Sequence, residues 1–381
     1  MTLATIEIGS LPKLPGRLEK VRGNNISEQQ EKVLWETNDI VGGSLATITR
    51  EYLALVHEPG KPTREQYQQI VDSNAQYNLK LLEAIGITYV WDGEARRKEM
   101  YDGVVQHVAG IEPLDQQISF VNLQGFPNTF VPFGYRSHLL LKDGPLHTEE
   151  LNFVQEHALH HVKIPITGSY TLATWTDPGP LKWEYRRKGL RGMDAERKAR
   201  AILVEDFSKQ VIQPSLVALA ALKPSRIQID EPNATAYPDQ ISLFARSLKL
   251  SLKDHNPAVQ YGLHVCFSED YGLIADAVAQ TPLSFLTLEL ANIDTGDHQS
   301  YRDVLEKFER AGYRGVYCIG VCNVHKDEIE SASLIRERAL AAIDIVGKER
   351  VELAPDCGLR TRVLPIAARK LIEIVDAARS L

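Results

Sequence analysis

Gln260-Tyr-Gly-Leu-His264-Val-Cys266 decides how the rest of this chain is read. Residues 260–265 are a short, mostly apolar run with strand character. His264 and Cys266 are two apart at its end, so both side chains leave the same face. A His-x-Cys pair where a buried strand runs out can grip one metal ion. Working outward, seven more apolar runs end in polar or Gly/Pro punctuation. Ile6 to Ile8 stops at Gly9-Ser10, Ile87 to Trp91 at Asp92-Gly93-Glu94, and Val162 to Ile166 at Thr167-Gly168-Ser169. Ile227 to Ile229 stops at Asp230-Glu231-Pro232, Phe285 to Leu288 at Glu289, Gly315 to Ile319 at Gly320, and Val351 to Ala354 at Pro355-Asp356-Cys357-Gly358.

Helical periodicity fills most of the intervals, as in Ala201 to Ala221, Ile274 to Ala279 and Ser331 to Val346. Strands alternating with helices predict a parallel sheet, and eight such units predict a (β/α)₈ TIM barrel. The alternative is a doubly wound open sheet, which gives no reason for polar residues after strands far apart in order. Two stretches exceed a plain barrel: a helical excursion over Arg17 to Pro62, and a β-rich, turn-rich insertion over 100–146 (Val108-Ala-Gly-Ile111, Gln124-Gly-Phe-Pro-Asn128, Pro132-Phe-Gly-Tyr135). With no repeat, low-complexity tract or long linker, residues 1–381 are expected to form a single domain.

Composition bounds the function. A net charge of −7 in 381 residues argues against general nucleic-acid binding. No apolar run reaches membrane-spanning length, and the start lacks the basic and apolar parts of a secretion signal, so a cytoplasmic protein is expected. Four cysteines are too few for a disulfide framework and point to metal or catalytic use.

His264, Cys266, Glu289 and Cys357 all lie at strand ends and form the candidate ligand set for Zn²⁺. The plain alternative is a core histidine, two buried thiols and an unrelated acid, but a buried acid needs a partner. Cys318 lies within a strand and reads as a small hydrophobe, and Cys322 is its neighbour in that region. Glu94 and Asp230 read as carboxylates for a substrate ammonium, against helix capping or a structural ion pair. Gly9-Ser10 is either a simple turn or a cradle for a carboxylate. His325 is either a surface residue or a proton-transfer group. His157, His160 and His161 precede the third strand, on the face opposite the site, and are expected to be structural or solvent-exposed. Lys182 to Arg200 is strongly basic: a solvated helix start, or a dock for an acidic partner or anionic tail.

These motifs resemble the catalytic barrel of cobalamin-independent methionine synthase. The resemblance is carried by Ile8-Gly9-Ser10, Asp92-Gly-Glu-Ala95, Thr167-Gly168 with Trp175, Ile227-Gln-Ile-Asp230-Glu-Pro232, His264-Val-Cys266, Leu286-Thr-Leu-Glu289, Val324-His325 and Pro355-Asp-Cys-Gly-Leu-Arg-Thr-Arg362. It implies zinc on His264, Cys266, Glu289 and Cys357, homocysteine held by Ile8, Gly9, Ser10, Glu94 and Asp230, protonation of the leaving group by His325, and Trp175 on the methyl-donor side. Full-length members carry a second, N-terminal barrel; here the first strand is read at residue 6, so that half is expected to be missing. Their acid six residues past the Asp of Asp-Glu-Pro is Ala236 here. Their folate-side Arg and Cys have no clear counterpart, Tyr135-Arg136-Ser137 being the nearest stretch. The chain therefore resembles a short core form. That form implies methylcobalamin, free or on a corrinoid protein, as methyl donor, with 5-methyltetrahydrofolate as the alternative. Transfer to a different thiol, and a non-enzymatic subunit binding a corrinoid protein, are the further alternatives.

Overall fold

In the computed structural model, which describes residues 2–121, 127–268 and 270–381, eleven strands follow in chain order. They are β1 (Tyr89–Val90), β2 (Val108–Pro113), β3 (Ile118–Val121), β4 (Pro127–Phe130), β5 (Phe133–Leu141), β6 (His161–Thr167), β7 (Arg226–Asp230), β8 (Gln260–Val265), β9 (Phe285–Leu288), β10 (Val316–Cys322) and β11 (Val351–Pro355). Seven of them form one parallel sheet in the order β1-β6-β7-β8-β9-β10-β11. The N-terminal segment joins the two outer strands. Thr5 bridges to Leu353 and Ile6 to Tyr89, both parallel. Ile6 N donates to Leu353 O (3.0 Å) and Tyr89 N to Thr5 O (3.0 Å). The sheet thus closes into a (β/α)₈ barrel with the N-terminal segment as its eighth stave. The expected first strand, Ile6 to Ile8, is reduced to these bridges, because Gly9 and Ser10 already turn away.

The apolar runs became strands because both faces are covered: burial is continuous along β6, β7, β8, β9 and β11 rather than alternating. Helices end where local chemistry stops them. Ser27 and Thr63 make capping boxes with Gln30 and Gln66, and Ser331 caps Ala332–Val346 through its hydroxyl. The helix expected over Ala201 to Ala221 is Gly192–Asp206 and Gln213–Ala221 joined by a π-helical stretch, Phe207–Ile212. Pro214 follows that stretch, and lacks the N–H that would continue the α ladder. The 17–62 excursion holds Arg17–Arg22, Glu28–Ile40 and Ala46–His57.

The 100–146 insertion contains two antiparallel pairs, β2 with β5 and β3 with β4. Part of its Gln124-to-Asn128 turn lies outside the described residues. The insertion is tied back to the barrel: Asp206 Oδ2 accepts Leu139 N (3.0 Å), and Gly134 bridges to Asp177. Among the described residues no helix is long and apolar enough to cross a membrane.

Candidate metal centre and surrounding pocket

His264 on β8 and Cys266 one residue beyond it face the barrel mouth beside Cys357, which follows β11. One ligand atom from each of the three lies within 4.8 Å of the others. Among the described residues this is the one group of three or more His, Cys, Asp or Glu side chains with that closeness. Both ring nitrogens of His264 are buried, and neither bonds an oxygen or nitrogen; the Cys357 sulfur is the neighbour it acts on. A buried imidazole with only a thiol beside it is poorly satisfied, and a bound cation is the partner this set of donors suits. The Cys357 thiol is pulled down to about 5 by the hydrogen bond from Cys266 and, against burial, by His264. Cys266 is pushed well up by sharing that hydrogen bond and by burial. One thiolate beside one thiol is the resting state such a pair takes before a cation displaces the remaining proton.

Glu289 departs from the four-ligand expectation. It is buried next to the trio but is not part of it. Its Oε1 lies 2.7 Å from His325 Nε2, and its Oε2 accepts Phe267 N at 2.6 Å. Phe267 reaches that position only with a left-handed backbone (φ 57°), a conformation that costs a side-chain-bearing residue about 1–2 kcal/mol. The adjacent Cys266 and the carboxylate are thus held by one strained peptide. The Tyr271 hydroxyl fixes the same turn from behind, donating to Glu289 O at 3.0 Å.

On the other side of the pocket, Glu94 also has a left-handed backbone (φ 53°). Lys13 Nζ donates to Glu94 O, and Arg97 Nη1 stands 3.7 Å from its Oε1. Gly9 is needed beside it: a β-carbon there would lie 3.1 Å from Glu94 Oε1. Asp230 accepts Gln228 Nε2 at 2.8 Å, and burial pushes its carboxyl up to about 6 against the pull of His264 and Gln228. Asp230 feels the charges of both His264 and Glu94, so it stands between the trio and the second acid.

Ser10 sits against the Cys357 loop. Leu359 N donates to Ser10 O (2.8 Å), and a β-carbon on Gly358 would lie 2.2 Å from Ser10 Oγ. Gly358→Ala should therefore cost about 1–3 kcal/mol and loosen Cys357. Thermal melting with metal analysis checks this, and an unshifted melt at full metal content would contradict it. Trp175 stacks on Phe130 (5.5 Å, 30° between planes) and meets Tyr101 edge-on (5.9 Å). It is anchored to the insertion rather than to the metal trio.

Other sequence expectations resolve simply. Cys318 is buried in the barrel interior with Glu352 Oε2 at 3.2 Å, and Cys322 is buried and outside the trio. His157 stacks on Phe153 and His160 Nδ1 bonds Ile87 O, so the histidine run is structural. The basic segment forms helices Gly179–Arg187 and the start of Gly192–Asp206, with Arg186, Arg187, Arg191, Arg197 and Lys198 exposed. Asp356 was passed over in the sequence although it sits inside the Pro-Asp-Cys motif. Its Oδ1 accepts Leu290 N (3.0 Å) and Ala291 N (2.9 Å), and so pins the loop after Glu289 to the loop that carries Cys357.

Comparison with known proteins agrees with this geometry. The family described as "Cobalamin-independent synthase, Catalytic domain" matches residues 41–380. The chain belongs to the cobalamin-independent methionine synthase family. A relative named "Methionine synthase" from Thermoplasma volcanium is 29% identical over 86% of this chain and 93% of its own length. A "5-methyltetrahydropteroyltriglutamate--homocysteine methyltransferase" from Vibrio cholerae is 24% identical over 85% of this chain but only 40% of its own. The solved structure of a B12-independent methionine synthase from Shewanella sp. W3-18-1, in complex with selenomethionine, shares the fold at a TM-score of 0.73, 16% identity and 99% and 97% coverage. Membership corrects one expectation. A cobalamin-independent family removes the ground for methylcobalamin as donor, and with it the corrinoid protein as delivery partner.

Proposed function

We propose that this chain is a zinc-dependent homocysteine S-methyltransferase that forms methionine with a 5-methyltetrahydropteroylglutamate as methyl donor. The convergence of His264, Cys266 and Cys357 beside two partly buried acids, Glu94 and Asp230, and the Glu289–His325 pair carries this reading. The donor follows the activity for which the longer relatives are named.

His264, Cys266 and Cys357 would hold the zinc, with Glu289 as the fourth residue within reach of the site. When bound, zinc lowers the pKa of an incoming thiol so that it is presented as thiolate. Two protein thiolates and a carboxylate keep the local charge negative and leave the substrate sulfur electron-rich. Glu94 and Asp230 take the substrate ammonium, and the Ile8-Gly9-Ser10 turn takes its carboxylate. Fixing both ends leaves the sulfur one direction of attack. His325, oriented by Glu289 through Nε2, is the group that protonates the departing folate nitrogen.

The test is purified protein with L-homocysteine and 5-methyltetrahydropteroyl mono- or triglutamate, with methionine measured. No methionine from either donor would sink the reading. Glu94→Gln and Asp230→Asn should each raise KM for homocysteine about 10- to 100-fold, because each removes a charged hydrogen bond from a buried ammonium. Since Asp230 is pushed up to about 6, its carboxylate is lost as pH falls through that value, and homocysteine KM should climb below about pH 6. Steady-state KM against pH checks this, and the climb should be missing in Asp230→Asn.

A further inference from the structure

The interiors of (β/α)₈ barrels are ordinarily filled by bulky aliphatic side chains. Here β7 sends Arg226, Gln228 and Asp230 inward on one face, two residues apart. Each has charged or polar company. At the bottom, Arg226 pairs with both oxygens of Glu352 (2.5 and 2.8 Å) and lies 3.6 Å over the Tyr89 ring. In the middle stands Lys163 from β6, fully buried. Its Nζ donates to Glu7 O (2.6 Å), to Ile8 O (2.5 Å) and to Gln228 Oε1 (3.2 Å), and lies 3.2 Å from Glu7 Oε1. At the top, Gln228 Nε2 donates to Ile8 O (2.8 Å) and to Asp230 Oδ1 (2.8 Å).

The direction of this chain of hydrogen bonds is forced. A lysine ammonium only donates, so the Gln228 carbonyl must face Lys163 and its amide nitrogen must face Asp230 and Ile8. Asp230 Oδ1 is thereby occupied, and among the described residues Oδ2 accepts no hydrogen bond. Stability alone is a weak reason for such a core, since a buried ion pair is often no better than apolar residues of the same size.

We propose that Lys163 and Gln228 are positioning residues for the α-amino group of the acceptor. They aim Asp230 at that ammonium, and so make the site select a thiol amino acid over a thiol without the amine. The inference rests on the reading above in taking homocysteine as the acceptor.

The test is calorimetric binding of L-homocysteine and of 4-mercaptobutanoate, which lacks the amino group, to the zinc-loaded full chain. Wild type should bind homocysteine the more tightly. Gln228→Met should shrink the ratio of the two dissociation constants about tenfold, with zinc content unchanged. Lys163→Met combined with Glu7→Gln, which leaves no unpaired buried acid, should shrink the same ratio. A purely structural role would weaken both thiols together and leave the ratio intact, and that result overturns the inference, as does a wild type that does not discriminate. Methionine formation by the same wild-type preparation is a separate readout. Its absence beside an intact binding ratio overturns the proposed methyl transfer and not the amino-group site.

Discussion

Cys357→Ser is expected to hold less than about a tenth of the zinc of the wild type and to form methionine on the order of 10³-fold more slowly. The serine hydroxyl is close in size to the thiol, so packing against Ser10 and Gly358 changes little. The chemistry changes greatly. Cys357 is one of the two sulfurs of the trio, and the hydrogen bond from Cys266 together with His264 holds its thiol below the usual range, which favours the thiolate a cation needs. A serine hydroxyl stays protonated near neutrality and leaves a single sulfur, Cys266, beside His264, with Glu289 within reach. Without the metal, the acceptor thiol returns to its ordinary pKa near 8.5, and only a few per cent is nucleophilic at pH 7. Metal analysis of the purified variant, beside methionine formation, checks both halves. Full zinc in Cys357→Ser would remove the basis of the whole site. Cys318→Ser is the control. That thiol lies in the barrel interior against Glu352, outside the trio, and its loss should leave zinc content near that of the wild type.

The barrel and the residues of its candidate metal centre were legible because both depend on local pattern. Continuous apolar runs mark strands buried on both faces, and a polar residue at the end of such a run marks the mouth. His264, Cys266 and Cys357 met on that rule alone. What the pattern could not show is direction. Glu289 was placed at the correct strand end, but nothing in Leu286-Thr-Leu-Glu289 says that its carboxylate turns to His325 and to a left-handed Phe267. The first strand was overdrawn because Ile6 and Ile8 are apolar for another reason. They pack inside the barrel with Phe285, Cys318 and Ala354. Lys163 and Gln228 were hidden for the opposite reason. Each interrupts a short apolar run, Val162 to Ile166 or Ile227 to Ile229, which reads as noise until the barrel brings them 3.2 Å apart from positions 65 residues distant. Methylcobalamin as donor was an expectation that no residue pattern tested, and membership of the family removed its ground.

His325→Ala should lower kcat with a 5-methyltetrahydropteroylglutamate donor by about 10²-fold or more while homocysteine KM moves little. The folate nitrogen is a poor leaving group unless it is protonated, so the cost of removing the proton source falls on the transition state rather than on binding. The geometry supplies the reason His325 can do this. Its Nε2 is 2.7 Å from Glu289 Oε1, so the carboxylate orients the ring. Its backbone is held as well, since His325 N donates to Asn323 Oδ1 at 2.8 Å. A methyl donor that leaves without a proton, such as a trialkylsulfonium ion, isolates the effect. With that donor the His325→Ala protein and the wild type should transfer methyl to homocysteine at similar rates, because the zinc-facing residues are untouched. Equal losses with both donors would mean that His325 acts by holding Glu289 in place. Glu289→Gln would then reproduce the defect with both donors, whereas under proton transfer Glu289→Gln should depress the folate reaction more than the sulfonium one.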